Sequence, residues 1–277
     1  MSIHLAKYTR YEGPLESENS RFAVIATTEL KRLLKQKWVR RFLMLSFTPL
    51  VVLTVFLYVS AIMKAETGFD VLSNSIYIYF FHSQTWFIAI MMAAFGADLI
   101  SKDIADRALC LYFTRSLNHM QYLWGKLVAL GTLVLAVTLI PGLLLSIIHF
   151  GLVEGAEVID FLIRSGRVIV CSTALAFMAT SIILMLSSLG TRSRIIGIGW
   201  LAIFFFLDFA RAILINAVGE NPIVDLMSIR HLMYAMPEFI FAVEGSVAAP
   251  TIALVLLSIC CFVALKFRVQ SLEKRMV

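Results

Sequence analysis

The chain has 277 residues, of which 60% are hydrophobic and only 15% charged, and its mean hydropathy is +0.87. That balance excludes an ordinary soluble domain and an intrinsically disordered chain. The formal net charge of +6 raises nucleic acid as a partner, but the basic residues flank apolar runs instead of forming one patch, so membrane contact is expected and nucleic acid is not.

Residues 1–20 are polar and carry Glu12, Glu16 and Glu18, which predicts a loosely ordered tail and no cleavable leader. From 21 to 40 the pattern becomes amphipathic. Phe22, Ile25, Leu30, Leu33, Leu34 and Trp38 recur at helical spacing, with Lys31, Arg32 and Lys35 opposite. Such a helix can lie in the membrane plane with its lysines toward headgroups, and can meet a partner there. A plain juxtamembrane extension of the next helix is the alternative.

Apolar runs follow near 41–63, 78–100, 127–150, 166–189, 195–217 and 247–266. Each is long enough to cross a bilayer. A backbone in hydrocarbon must satisfy its own hydrogen bonds, so the prediction is an all-α membrane protein with about six spans over 41–266. Lys31, Arg32, Lys35, Lys37, Arg40 and Arg41 precede the first run, and Lys102, Arg107, Arg115 and Lys126 lie between the second and third. Arg192 and Arg194 follow the fourth, while Lys266, Arg268, Lys274 and Arg275 follow the last. The alternate loops hold mainly Lys64, Arg164, Arg167 and Arg230 alongside half of the acid, so both termini, including 267–277, are expected in the cytoplasm.

The inner loop 101–126 carries the most local structure. Ser101 has the chemistry of an N-cap, and Asp103 in the following turn would complement a helix dipole. Asn118 and Gln121 have capping-box spacing, so a new helix is expected to start there. Between these points 104–117 should form a short helix of its own. Its Leu109, Leu111, Tyr112 and Phe113 require a protein groove or lipid as cover, while Asp106, Arg107 and Arg115 can face water.

Asp208 and Arg211 stand at i, i+3 within the fifth run, close enough to pair on one helix face or to line a polar substrate path. Asp98 ends the second run, where it can cap the loop helix or meet an arginine. The outer loop 218–246 is itself apolar and punctuated by Pro222 and Pro237, which predicts short helices returning to the outer membrane surface as a structural lid.

Catalytic signatures are missing. Gly125-Lys126 lacks the upstream glycine and following hydroxyl of a phosphate loop, and no zinc-protease helix or serine nucleophile elbow occurs. The His and Cys residues have no metal-ligand spacing. Asp103-Ile-Ala-Asp106 has the carboxylate spacing of some lipid-headgroup transferases, but Arg107 occupies the place of that motif's glycine and the later aspartates are missing. No catalytic residue, metal or cofactor is therefore expected in this chain.

One stretch resembles a known family. Phe95-Gly96-Ala97-Asp98-Leu99-Ile100-Ser101-Lys102-Asp103, then Arg107-Ala108-Leu109, Thr114-Arg115-Ser116 and Tyr122-Leu123-Trp124-Gly125-Lys126-Leu127 follow the order of marks in ABC transporter permeases of the type-2 export class. It resembles their short bacterial members. The family's Gly-Thr-Leu step is Arg107-Ala108-Leu109 here, and Ser116 replaces its proline. The resemblance implies that 104–117 is a coupling helix docking on a separate ATPase subunit through Asp103, Asp106, Arg107, Leu109, Leu111, Tyr112, Phe113 and Arg115. Leu30, Leu33, Leu34 and Trp38 would belong to a connecting helix beside it. It further implies a second permease subunit, ATP and Mg2+ held by the partner ATPase, and a bacterial plasma membrane. The alternatives are a stand-alone secondary transporter or channel, and an integral-membrane lipid enzyme.

Overall fold

The computed structural model describes residues 21–67, 75–109, 118–152, 157–219, 221–241 and 248–276. Among them every regular element is helical: α1 (Arg21–Lys35), α2 (Lys37–Leu45), α3 (Thr48–Thr67), α4 (Ser75–Met91), a π-helical turn (Met92–Gly96), α5 (Asp98–Ala105), α6 (His119–Leu152), α7 (Val158–Ser187), α8 (Ser193–Val218), α9 (Pro222–Asp225), α10 (Ile229–Ile240) and α11 (Ala248–Met276).

Among the described residues five stretches are long and apolar enough to cross a membrane: Lys37–Met63, His119–Leu152, Val158–Ser187, Ser193–Ala217 and Ala248–Leu272. The chain is a multi-pass membrane protein. The run expected to span at 78–100 is not one α-helix. α4 has 17 residues, or about 26 Å, short of a hydrocarbon core of about 30 Å. It widens at the π turn and restarts as α5.

Burial places α6 and α7 at the centre. Over half of each one's most apolar segment is buried, 56% and 67%, against 17% for Lys37–Met63 and 11% for Ser193–Ala217. The outer helices turn Val51, Val55, Phe56, Ile198, Phe206, Phe209, Leu256 and Phe267 outward. In water that surface would drive aggregation, whereas against lipid tails it carries no such penalty.

Pro49 explains the bend between α2 and α3. It has no N–H for the carbonyl of Leu45, four residues back; Thr48 Oγ1 donates to that oxygen at 2.7 Å instead. Gln84 Nε2 of α4 donates to Ser46 O at 2.9 Å, so a neighbouring helix completes the bend.

The π turn is closed by Ala97 N donating to Met92 O at 3.1 Å, an i+5 bond. A widened turn disturbs the usual carbonyl partners, and Trp200 Nε1 of α8 donates to Ala89 O at 2.9 Å. α8 comes close because Gly197 has no side chain: a Cβ there would lie 2.5 Å from Ala93 O. Ser187, the last residue of α7, secures the restart. Its Oγ accepts from Ile100 N at 3.1 Å and Ser101 N at 3.0 Å and donates to Ala97 O at 2.7 Å.

The connection 218–246 contains helices α9 and α10, as its apolar pattern predicts. α10 does not lie flat as a surface element. It buries Ile229, Leu232, Met233, Ala235, Met236 and Pro237 against α4, α8 and α11.

Candidate functional site

The most constrained polar group sits where α1, α5 and α6 meet. α1 buries Ile25, Ala26, Glu29 and Leu33, positions that recur every three to four residues along one stripe. That stripe packs on α6. The approach is close at Gly125, where a Cβ would stand 2.8 Å from Ile25 Cβ and 3.1 Å from Phe22 O. One residue on, the fully buried Lys126 points its ammonium between two carboxylates. Its Nζ is 2.5 Å from Glu29 Oε1 of α1 and 2.7 Å from Asp103 Oδ2 of α5.

The surroundings complete the clamp. Tyr122, one helical turn before Lys126, donates its hydroxyl to Asp103 Oδ2 at 2.8 Å. Arg32 Nε stands 3.1 Å from Glu29 Oε2, out of line for a hydrogen bond, so that contact is Coulombic. Two acids and two bases thus neutralise one another. A buried charge left alone would be costly, and pairing each one is what makes the burial tolerable. The clamp fastens α1 to α6 directly through Lys126, and the same ammonium holds α5 through Asp103.

The expected site residues scatter about this clamp. Asp103 lies inside it. Ser101 is not an N-cap: it sits within α5, buried, with its Oγ donating to Ala97 O at 2.6 Å. The cap of α6 forms as predicted, with Gln121 Oε1 accepting from Asn118 N at 3.2 Å. Asp106 and Arg107 are exposed and Leu109 is buried. Leu111, Tyr112, Phe113 and Arg115 lie outside the described residues, as does most of the expected helix 104–117. α5 ends at Ala105, so that helix does not run unbroken from Ile104.

α1 also departs from the expected face and length. It stops at Lys35, Gln36 is extended, and Trp38 belongs to α2. Leu33 is buried and Leu30 half-buried, while Leu34 and Trp38 are exposed. Trp38 lies under the Arg41 guanidinium, 5.7 Å from the ring centre. The protein-facing stripe includes a glutamate that the apolar spacing alone passed over.

Arg107 closes α5 in a left-handed conformation with φ +53°. That backbone costs a residue with a Cβ about 1 kcal/mol. Arg107→Gly is expected to raise the melting temperature in detergent, a gain of up to about 1 kcal/mol. Arg107→Ala, which keeps the Cβ, should leave it unchanged.

A second polar group lies at the other end of α8. Asp208 and Arg211 do not pair with each other there. Asp208 takes Arg230 Nη2 at 2.5 Å and Ser228 Oγ at 3.1 Å, while Arg211 donates through Nε and Nη2 to Asp225 Oδ1 at 3.0 and 2.7 Å. The Arg230 guanidinium lies 5.3 Å from the ring centres of both Trp86 and Tyr234. Burial, and then the Arg211 charge, push the imidazole of nearby His231 below its ordinary pKa. These contacts tie α9 and α10 to α8 and hold that connection down on the bundle.

Glu29, Tyr122, Lys126, Ser187, Asp225 and Arg230 were not singled out by sequence as site residues. Lys126 alone carried a usable signal, a lysine directly after glycine where an apolar run begins. Among the described residues no group of His, Cys, Asp and Glu could hold a metal ion. No protein-family model matches the chain, and no match was found among curated proteins.

Proposed function

We propose that this chain is the membrane subunit of an ATP-driven exporter, moved by a separate ATPase that docks on the hairpin between α5 and α6. The observation that carries the reading is the buried clamp. A force applied to the hairpin reaches α5 through Asp103, α6 through Lys126, and α1 through Glu29 at the same moment. A lever needs that stiffness at its base. A two-state bundle biased by nucleotide bound elsewhere is allosteric coupling between two sites. Arg107 gives independent support to the resemblance, because the left-handed residue stands where the family pattern has glycine. In this reading ATP and Mg2+ belong to the partner, this chain does no catalysis, and two copies or two related permeases flank the substrate route.

The test is isolation of the tagged chain from native membranes with assay of co-eluting, vanadate-sensitive ATPase. The expected result is a stable complex. Tyr112→Asp or Phe113→Asp should release the ATPase or uncouple its hydrolysis from transport, while the bundle keeps its melting temperature. Transport by the chain alone, in vesicles free of ATPase, would overturn the proposal. It would favour a stand-alone transporter, a second reading for which the interrupted helix at Met92–Gly96 speaks.

A further inference from the structure

Outside the clamp, α1 and the joint leading into α5 border an open-sided cavity of about 560 Å³. Four cations line it, Lys31, Arg32, Lys35 and Lys102, against the single carboxylate of Asp98, with Gln36 at the rim. With Arg32 set against Glu29, Lys31, Lys35 and Lys102 outweigh Asp98 by two positive charges around an open space, which calls for an anionic occupant. Apart from Arg32, whose Nε lies by Glu29, these cations play no part in the clamp.

A second cavity begins one helical turn further along the chain. Arg40, whose N–H is bonded to Gln36 O at 3.4 Å, opens an apolar groove of about 460 Å³ with Leu43, Met44 and Phe47. Gln36, the N-cap of α2, lines the first cavity, and Arg40, Leu43 and Met44 of α2 line the second, spaced to share one helical face. The groove therefore follows the basic cavity along α2, which opens a stretch able to cross the membrane. A charged chamber continued by an apolar channel matches an amphiphile with a phosphate at one end and a hydrocarbon chain behind it. Neither cavity alone specifies that, but their order on one face does.

We propose that the chain holds one anionic phospholipid at this place, its headgroup phosphate among Lys31, Lys35 and Lys102 and one acyl chain along Leu43, Met44 and Phe47. The bound lipid bridges α1 to α5 from outside, as Lys126 does from inside, and so stiffens the same joint. The inference needs the membrane spans and not the exporter assignment. Anionic headgroups near a membrane surface attract such lysines, and the cavity followed by the apolar groove selects one lipid from that general attraction.

The test compares melting temperatures in nanodiscs of pure phosphatidylcholine and of an equimolar mixture with phosphatidylglycerol. The expected result is a higher melting temperature in the mixture. The rise should be lost in the Lys31→Gln/Lys102→Gln variant. It should persist in Arg192→Gln/Arg194→Gln, which removes the same charge from another loop. Native mass spectrometry should show one phosphatidylglycerol retained by the parent chain and none by the lysine variant. Equal loss of the rise in both variants would reduce the effect to diffuse surface attraction and overturn the site. Reproduction of the rise by inorganic phosphate in pure phosphatidylcholine would make it a soluble-anion site and overturn the lipid. No rise in the mixture would overturn it outright.

Discussion

Lys126→Met is expected to destabilise the protein by about 3–5 kcal/mol, because it leaves two buried carboxylates facing each other without their common cation. Methionine fills nearly the same space, so the loss is electrostatic. α1 should detach first, since Arg32 touches Glu29 only from the exposed side. Limited proteolysis at Lys31 and Lys35 reports that release before global unfolding. The triple variant Glu29→Gln/Asp103→Asn/Lys126→Met removes the charges together and should recover more than half of the lost stability. If it recovers none, the clamp acts by shape and not by charge, and the argument for it fails.

Gly197→Leu should cost about 2–4 kcal/mol, combining overpacking with the loss of one buried hydrogen bond. The atom a Cβ would meet is a backbone oxygen, Ala93 O, and cannot swing aside as a side chain could. α8 must then lift off the π turn, and Trp200 loses Ala89 O. Gly199 is the control. A Cβ there meets nothing within 4 Å, so Gly199→Ala should be neutral or raise stability by up to about 1 kcal/mol through helix propensity. Thermal unfolding of both variants in one detergent decides it: equal losses would mean that the close approach at the π turn does not matter.

Local rules served the sequence well and non-local ones were out of its reach. Span length depends only on a run of apolar residues, which is why the long helices were legible. The Asn118 and Gln121 cap lies three residues apart and was read correctly for the same reason. Met92-Ala93-Ala94-Phe95-Gly96 looks like any apolar segment, so nothing in it announced a π turn; its partners Gly197 and Trp200 come about a hundred residues later. The spacing of Asp208 and Arg211 fitted an ion pair on one helix. Helices α10 and α9 offer each a better partner, Arg230 for one and Asp225 for the other. Glu29 escapes amphipathic reasoning, which assigns charges outward. Its burial becomes intelligible only once Lys126 arrives from α6.

That arrival has a consequence for biosynthesis. Glu29 and Lys126 are 97 positions apart, and ribosomes add about 5–20 residues per second. For about 5–20 s the nascent chain therefore carries an acid on its opening helix whose mate has not been made. Through that interval the opening helix stays free of the bundle, and the first crossing is inserted without its help. Docking of the amino-terminal segment is a late act of assembly, timed by the emergence of a single lysine.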